Sequence, residues 1–218
     1  MRFGQWATIL AFLAMFTATQ ARAETKCRPA AEAGVEHCVS GLRADAVAEM
    51  RQTQRASQWC WAAAVSMVLR SYGVRVPQEQ VVRQHWGSAV DIGVPPAVLG
   101  TLLNRRWNDA SGRAVSLASD VRAGAQARLG SPEVLQDLQD GRPVVVVLPG
   151  HAVVLVQVEF QRRRDSGAVQ LLGAVALDPA REGLRTLKPD AAVVQVTRSA
   201  PAGGDQVASA GVEAEAIH

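Results

Sequence analysis

Apolar residues in this chain follow two periods. Between residues 59 and 72 they recur every three or four positions. Trp61, Ala64, Val65, Val68, Leu69 and Tyr72 stand at i, i+3, i+4, i+7, i+8 and i+11, which places them on one stripe of a helix. Ser57 or Gln58 can cap its start, and Gly73 ends it. "PQEQVVRQHW" opens with Pro77, whose missing N–H costs nothing in a first turn, and stops at Gly87. "PPAVLGTLLNRRW" predicts a third short helix from Pro95 or Pro96. "SPEVLQDLQDG" predicts another, with Ser131 as cap, Pro132 in the first position and Gly141 after the end.

Beyond residue 142 the period changes. "RPVVVVLPG", "HAVVLVQVEF", "AVQLLGAVALDP" and "AAVVQVTR" are rich in β-branched residues and read as four strands. Unbroken valine marks strands covered on both faces, or nearly so. "RAVSLAS", in the weaker stretch 108–130, reads as one more strand. Residues 24–53 read as a polar N-terminal arm, with a short helix over 44–50. The tail 199–218 is small, polar and unperiodic, and is expected to be disordered. Helices come first and strands second, so the fold class is α+β.

The N-terminus changes the picture of where the chain works. Arg2, the apolar run "WATILAFLAMFTA" and the small-x-small site "ARA" read as a secretory signal peptide over 1–23. The run is too short for a comfortable membrane span. Without residues 1–23, 21 basic side chains stand against 20 acidic ones, a net charge near +1. That balance calls for neither nucleic acid nor an anionic membrane. The one basic cluster, in "QRRRDSG", sits between two strands and reads as a hairpin tip.

Export makes the cysteines informative, because thiols pair in an oxidising compartment. There are three. Cys27 and Cys38 lie close together in the arm and are the natural local disulfide. Cys60 is then left over, flanked by Trp59 and Trp61 in "QWCWAAA". It is a buried free thiol, half of an intermolecular disulfide or a nucleophile, and its position alone weighs core residue and nucleophile equally. A helix start favours a thiolate through the free N–H groups and the macrodipole. No Cys-x-x-Cys and no paired histidines point to a metal.

Thiol chemistry needs a base, a group that orients it and donors for an oxyanion. Of the four histidines, His37 adjoins Cys38, His85 lies late in a helix and His218 ends the tail. His151 opens a strand in "LPGHAVVLVQV" and is the candidate base. Asp178, in "AVALDPA", ends the next strand. If those strands pair as a hairpin, the two residues become neighbours. Gln54, six residues before Cys60, can supply an oxyanion donor, with Gln52 and Gln58 as competitors.

Together, Gln54, "CWAA" from Cys60 and "GHAVVLV" from Gly150 resemble the papain-like cysteine peptidases, and more the compact bacterial branch than the plant and lysosomal one. The likeness spans about residues 54–187. It implies a helical subdomain, opened by a catalytic helix, packed on a C-terminal antiparallel sheet over 54–198. It implies a Cys60–His151–Asp178 triad with Gln54 at the oxyanion, a peptide or protein substrate, a monomer and no cofactor. The Cys-Gly-Ser-Cys motif of the plant enzymes is absent, and the Cys27–Cys38 pairing does not come from the family. An acyl transferase or amidase using the same thioester, or a silent binding protein of the same fold, are the alternatives.

Overall fold

The structure, a computed structural model, describes residues 22–181 and 183–203. The predicted signal segment up to residue 21 and the tail from 204 lie outside the described residues. What is described is an α+β fold: five helices against a nine-stranded antiparallel sheet.

β6 (His151–Arg163) organises the sheet. Along one edge it pairs with β7 (Val169–Leu177), over residues 154–162 of β6. That leaves one other edge, which two strands share end to end. β5 (Val144–Leu148) takes residues 151–155, and β2 (Val35–Leu42) takes residues 157–163. β2 is joined to β1 (Ala23–Pro29), and β7 to β8 (Leu184–Leu187). On the far side of β5 follow β9 (Gln195–Pro201), β4 (Ala114–Ala123) and β3 (Arg106–Asn108). All five residues of β5 are buried, as its unbroken apolar run predicts.

The expected helices are present: α1 (Ala44–Met50), α2 (Cys60–Ser71), α3 (Gln78–Trp86), α4 (Ala97–Leu102) and α5 (Pro132–Gln139). Ser131 caps α5 by accepting from the Val134 N–H. α2 packs on β6 and β5 and is bordered by α1, α3 and α4. Almost every residue of it is buried, Ala62 and Met67 as fully as Val65 and Leu69. It is therefore a central helix covered all round rather than an amphipathic one. Each of its larger apolar side chains contributes about 1.5–3 kcal/mol by leaving water.

Three expectations need correction. The N-terminal stretch is no arm: residues 23–42 form a hairpin that joins the sheet, so the sheet is not purely C-terminal. β2 buries Val35, Cys38 and Ser40–Leu42 only because β6 lies beside it, and its mixed sequence gives no sign of that partner. At Gly41 the approach is so close that a Cβ would collide with the Val156 carbonyl and the Gln157 Cα. Second, residues 199–201 are not tail. They finish β9, where Ser199 is buried and its carbonyl accepts from the Tyr72 hydroxyl at 2.6 Å. Burial pushes that hydroxyl's pKa up to about 12, so it stays a donor. Third, the helix expected over "PPAVLGTLLNRRW" stops at Leu102, and Arg106–Asn108 form β3 instead; β8 has no clear signature in the sequence.

Cys27 and Cys38 face each other directly in the β1–β2 register and form a disulfide. In the chain-entropy account a closed loop of this size stabilises by about 3 kcal/mol. β1 is an edge strand with little buried surface, held by its seven-residue ladder with β2 and by this crosslink. Among the described residues no helix is long and apolar enough to cross a membrane.

Candidate functional site

Cys60 is the first residue of α2 and the free cysteine of the chain. The expected capping by Ser57 or Gln58 does not occur. Trp59 occupies the cap position with no side-chain hydrogen bond to the helix. No side chain therefore caps the first-turn N–H groups, and the Trp61 N–H is among the causes that lower the Cys60 pKa. Ser57 is used elsewhere. Its hydroxyl donates to Asp91 Oδ2 at 2.8 Å, and the Gln58 N–H donates to Asp91 Oδ1 at 2.8 Å.

The same loop explains the two tryptophans. Trp59 Nε1 donates to the Val90 carbonyl at 2.8 Å, and Trp61 Nε1 to the Ile92 carbonyl at 3.1 Å. Both rings are buried. Alternate residues before and after the cysteine thus grip alternate carbonyls of one loop, with Asp91 held between them. Each indole bond contributes about 1 kcal/mol net. Their joint effect is to fix residues 93–96 as a wall facing Cys60 across a cavity of about 460 Å³. A wider depression of about 630 Å³ lies by Arg55 and Arg83, but it holds no nucleophile.

The opposite wall comes from the sheet. Pro149 and Gly150 make the two-residue turn between β5 and β6, with Gly150 at φ 71°. That left-handed conformation is free for glycine and strained for other residues. His151 follows as the first residue of β6. Val154 pairs with Leu177 across β6 and β7, so the next pair would set Asp178 beside Val153. His151 is two residues further, on the same face, at the diagonal position. His151 Nε2 donates to Asp178 Oδ1 at 2.6 Å. A carboxylate only accepts, so this bond fixes the proton on Nε2 and leaves Nδ1 for the thiol.

The thiol and imidazole border the same cavity, close enough for hydrogen bonding between them to shift both pKa values. Burial alone pushes the Cys60 thiol up. The bond to His151, the N–H groups of Ala152 and Trp61, and the imidazolium charge outweigh it and hold the thiol below its usual range. The bond to Cys60 raises the His151 pKa above its ordinary value; burial opposes this, and Asp178 adds to it. Asp178 is itself buried, which pushes its carboxyl up. The His151 bond, the Ala180 N–H and Arg185 reverse that and keep it ionised. All three shifts favour a thiolate beside an imidazolium beside a carboxylate.

Gln54 is placed differently from the expectation. Its main-chain N–H donates to the Pro179 carbonyl at 2.8 Å, next to Asp178. Its amide nitrogen donates to the carbonyls of Ala56 at 2.9 Å and Ser57 at 2.8 Å. Both amide hydrogens are thereby committed, while Oε1 is buried with no partner among the described residues. Gln58 lines the cavity with Cys60 and His151. Two contributors were not foreseen: Asp91, which locks the loop, and Arg185, which bonds Asp178. Neither sits in a motif, and only the folded chain brings them near.

Compared with known proteins, the chain matches no protein-family model and no curated protein sequence.

Proposed function

We propose that the protein is an exported cysteine peptidase of papain-like fold. The observation that carries this reading is that Cys60, at an uncapped helix start, and His151 line one cavity, with His151 hydrogen-bonded to buried Asp178 behind it. The thiolate of Cys60 attacks a peptide carbonyl carbon, and the carbonyl electrons move onto oxygen. The Cys60 N–H and a glutamine amide hold that oxyanion. As the C–N bond breaks, imidazolium His151 gives its proton to the leaving amine. Neutral His151 then takes a proton from water, the hydroxide displaces the thioester sulfur, and the acid leaves. Thiolate and imidazolium are restored. Throughout, Asp178 keeps the ring in place.

The oxyanion amide belongs to Gln54 or Gln58. Gln54 can serve only by releasing the carbonyl of Ala56 or Ser57; Gln58 already borders the cavity. Gln54→Ala and Gln58→Ala decide between them. Loss of the true donor lowers kcat by about 10²- to 10³-fold, and loss of the other leaves kcat within about twofold. Equal, small losses would remove the side-chain donor from the mechanism.

The proposal as a whole is tested by cleavage profiling of the purified protein on a peptide library, together with labelling by an epoxide thiol inhibitor. Cleaved peptides and a labelled Cys60 are expected; an inert thiol and an intact library refute it. A labelled thiol that transfers acyl groups to an added amine instead of water identifies a transferase. Export to the periplasm or the medium is supported by the N-terminal pattern and by the Cys27–Cys38 disulfide. Mass spectrometry of the mature N-terminus tests it: a start at Glu24 is expected, and a start at Met1 contradicts it.

A further inference from the structure

We infer that Arg185 is a positioning residue, which holds the second oxygen of Asp178 and so aims the first at His151; this rests on the reading of Cys60 and His151 as the reacting pair. Asp178 Oδ1 accepts from His151 Nε2 at 2.6 Å and from the Ala180 N–H at 3.0 Å. Oδ2 accepts from Arg185 Nη1 at 3.3 Å, its one donor among the described residues. A carboxylate held by one oxygen can still turn about its side-chain bonds. Held by both, it presents one fixed lone pair to the ring.

The strand register builds this grip symmetrically. Arg185 stands opposite Ala176 in the β7–β8 pair. Asp178 lies two residues beyond Ala176, so Arg185 reaches it along the diagonal from β8, as His151 does from β6. The side chain of Asp178 is 2 % exposed and that of Arg185 41 %. The guanidinium therefore keeps water on one side and loses little solvation. It lines an outer groove of about 320 Å³ with Leu148 and Pro149, and Leu148 also borders the cavity of Cys60.

Among the described residues, the charged groups facing His151 are Cys60 from α2, Asp178 after β7 and, behind it, Arg185 from β8. Lys188 and Asp190 line the outer groove, Arg181 lies in the turn after Asp178, and Asp91 lies beyond Gln58. Charge and position predict opposite signs at the imidazole. Removing a cation would by charge alone raise the His151 pKa. Letting the Asp178 carboxylate swing away would lower it.

The test is an NMR titration of protein carrying ¹⁵N-labelled histidine, with the His151 signal assigned by His151→Gln. The parent His151 is expected to titrate above its ordinary range. Arg185→Met is expected to shift it down by about one pH unit, and Arg185→Lys, which keeps the charge but shortens the reach, to fall between. An unchanged or raised value in Arg185→Met overturns the inference. So does an Arg185→Lys value equal to the parent's, since charge would then be sufficient. If the parent His151 titrates at its ordinary value, the thiolate–imidazolium pair fails as well, and the proposed function falls with it. No substrate is needed, so the two failures are distinguishable.

Discussion

Cys60→Ala is expected to abolish peptide hydrolysis, a loss of about 10⁴-fold or more in kcat, while the thermal midpoint stays within about 3 °C of the parent. The size follows from covalent chemistry: no other described residue offers a free thiol, and an alanine cannot form the thioester. The small stability effect follows from position. Cys60 is half-buried at the mouth of the cavity and packs against the core without belonging to it. What is lost is a half-buried thiolate whose charge burial already opposes. The measurement is steady-state hydrolysis of the best library peptide beside a thermal melt. Full activity in a folded variant would refute the nucleophile. Loss of activity with loss of folding would instead make Cys60 structural.

Asp178→Ala is expected to lower kcat by about 10²-fold or more and to narrow the pH range of activity from its alkaline side. The sign comes from the pair. In the proposed mechanism activity requires the thiolate, so it is expected to rise with pH as Cys60 loses its proton, below the usual thiol range. It also requires the imidazolium, so it falls as His151 loses its proton, above the ordinary histidine range. Asp178 contributes to the second limb by its hydrogen bond and its charge. Removing it lowers the His151 pKa and brings the alkaline fall to lower pH. An alkaline limb in the parent's place would show that Asp178 does not hold the ring. Stability follows a separate limb. The folded Asp178 pKa is depressed. Its stabilising effect is therefore present above the unfolded value, near 3.9, and is lost as pH falls through the folded one. The variant should show a weaker acid dependence of unfolding than the parent.

Much of this site is written in consecutive residues. The recurrence from Trp61 to Tyr72 makes α2 and puts Cys60 at its start. Pro149 and Gly150 end β5 and put His151 at the head of β6. Valine runs commit β5 and β6 to the interior. Each of these is a local property, because helix periodicity, turn chemistry and apolar runs are decided by neighbours within a few positions. The count of cysteines, in a chain read as exported, singled out Cys60 by the same local reading.

The rest depends on pairings that no short stretch encodes. The expected arm became a hairpin because β6 is long enough to offer β2 the half of its edge that β5 leaves free. Residues 199–201 became strand because β4 and the Tyr72 hydroxyl had backbone to meet. Gln54 has the spacing of an oxyanion donor, yet the turn around Ala56 and Ser57 engages its amide hydrogens. Asp178 was visible as a strand end, but Arg185 reaches it only across the β7–β8 pair. By itself the sequence singled out the residues proposed to carry the chemistry and the helix start and strand ends that present them. Only the tertiary structure decided which donors are free and what holds each charge, because those depend on partners brought close by folding rather than by spacing.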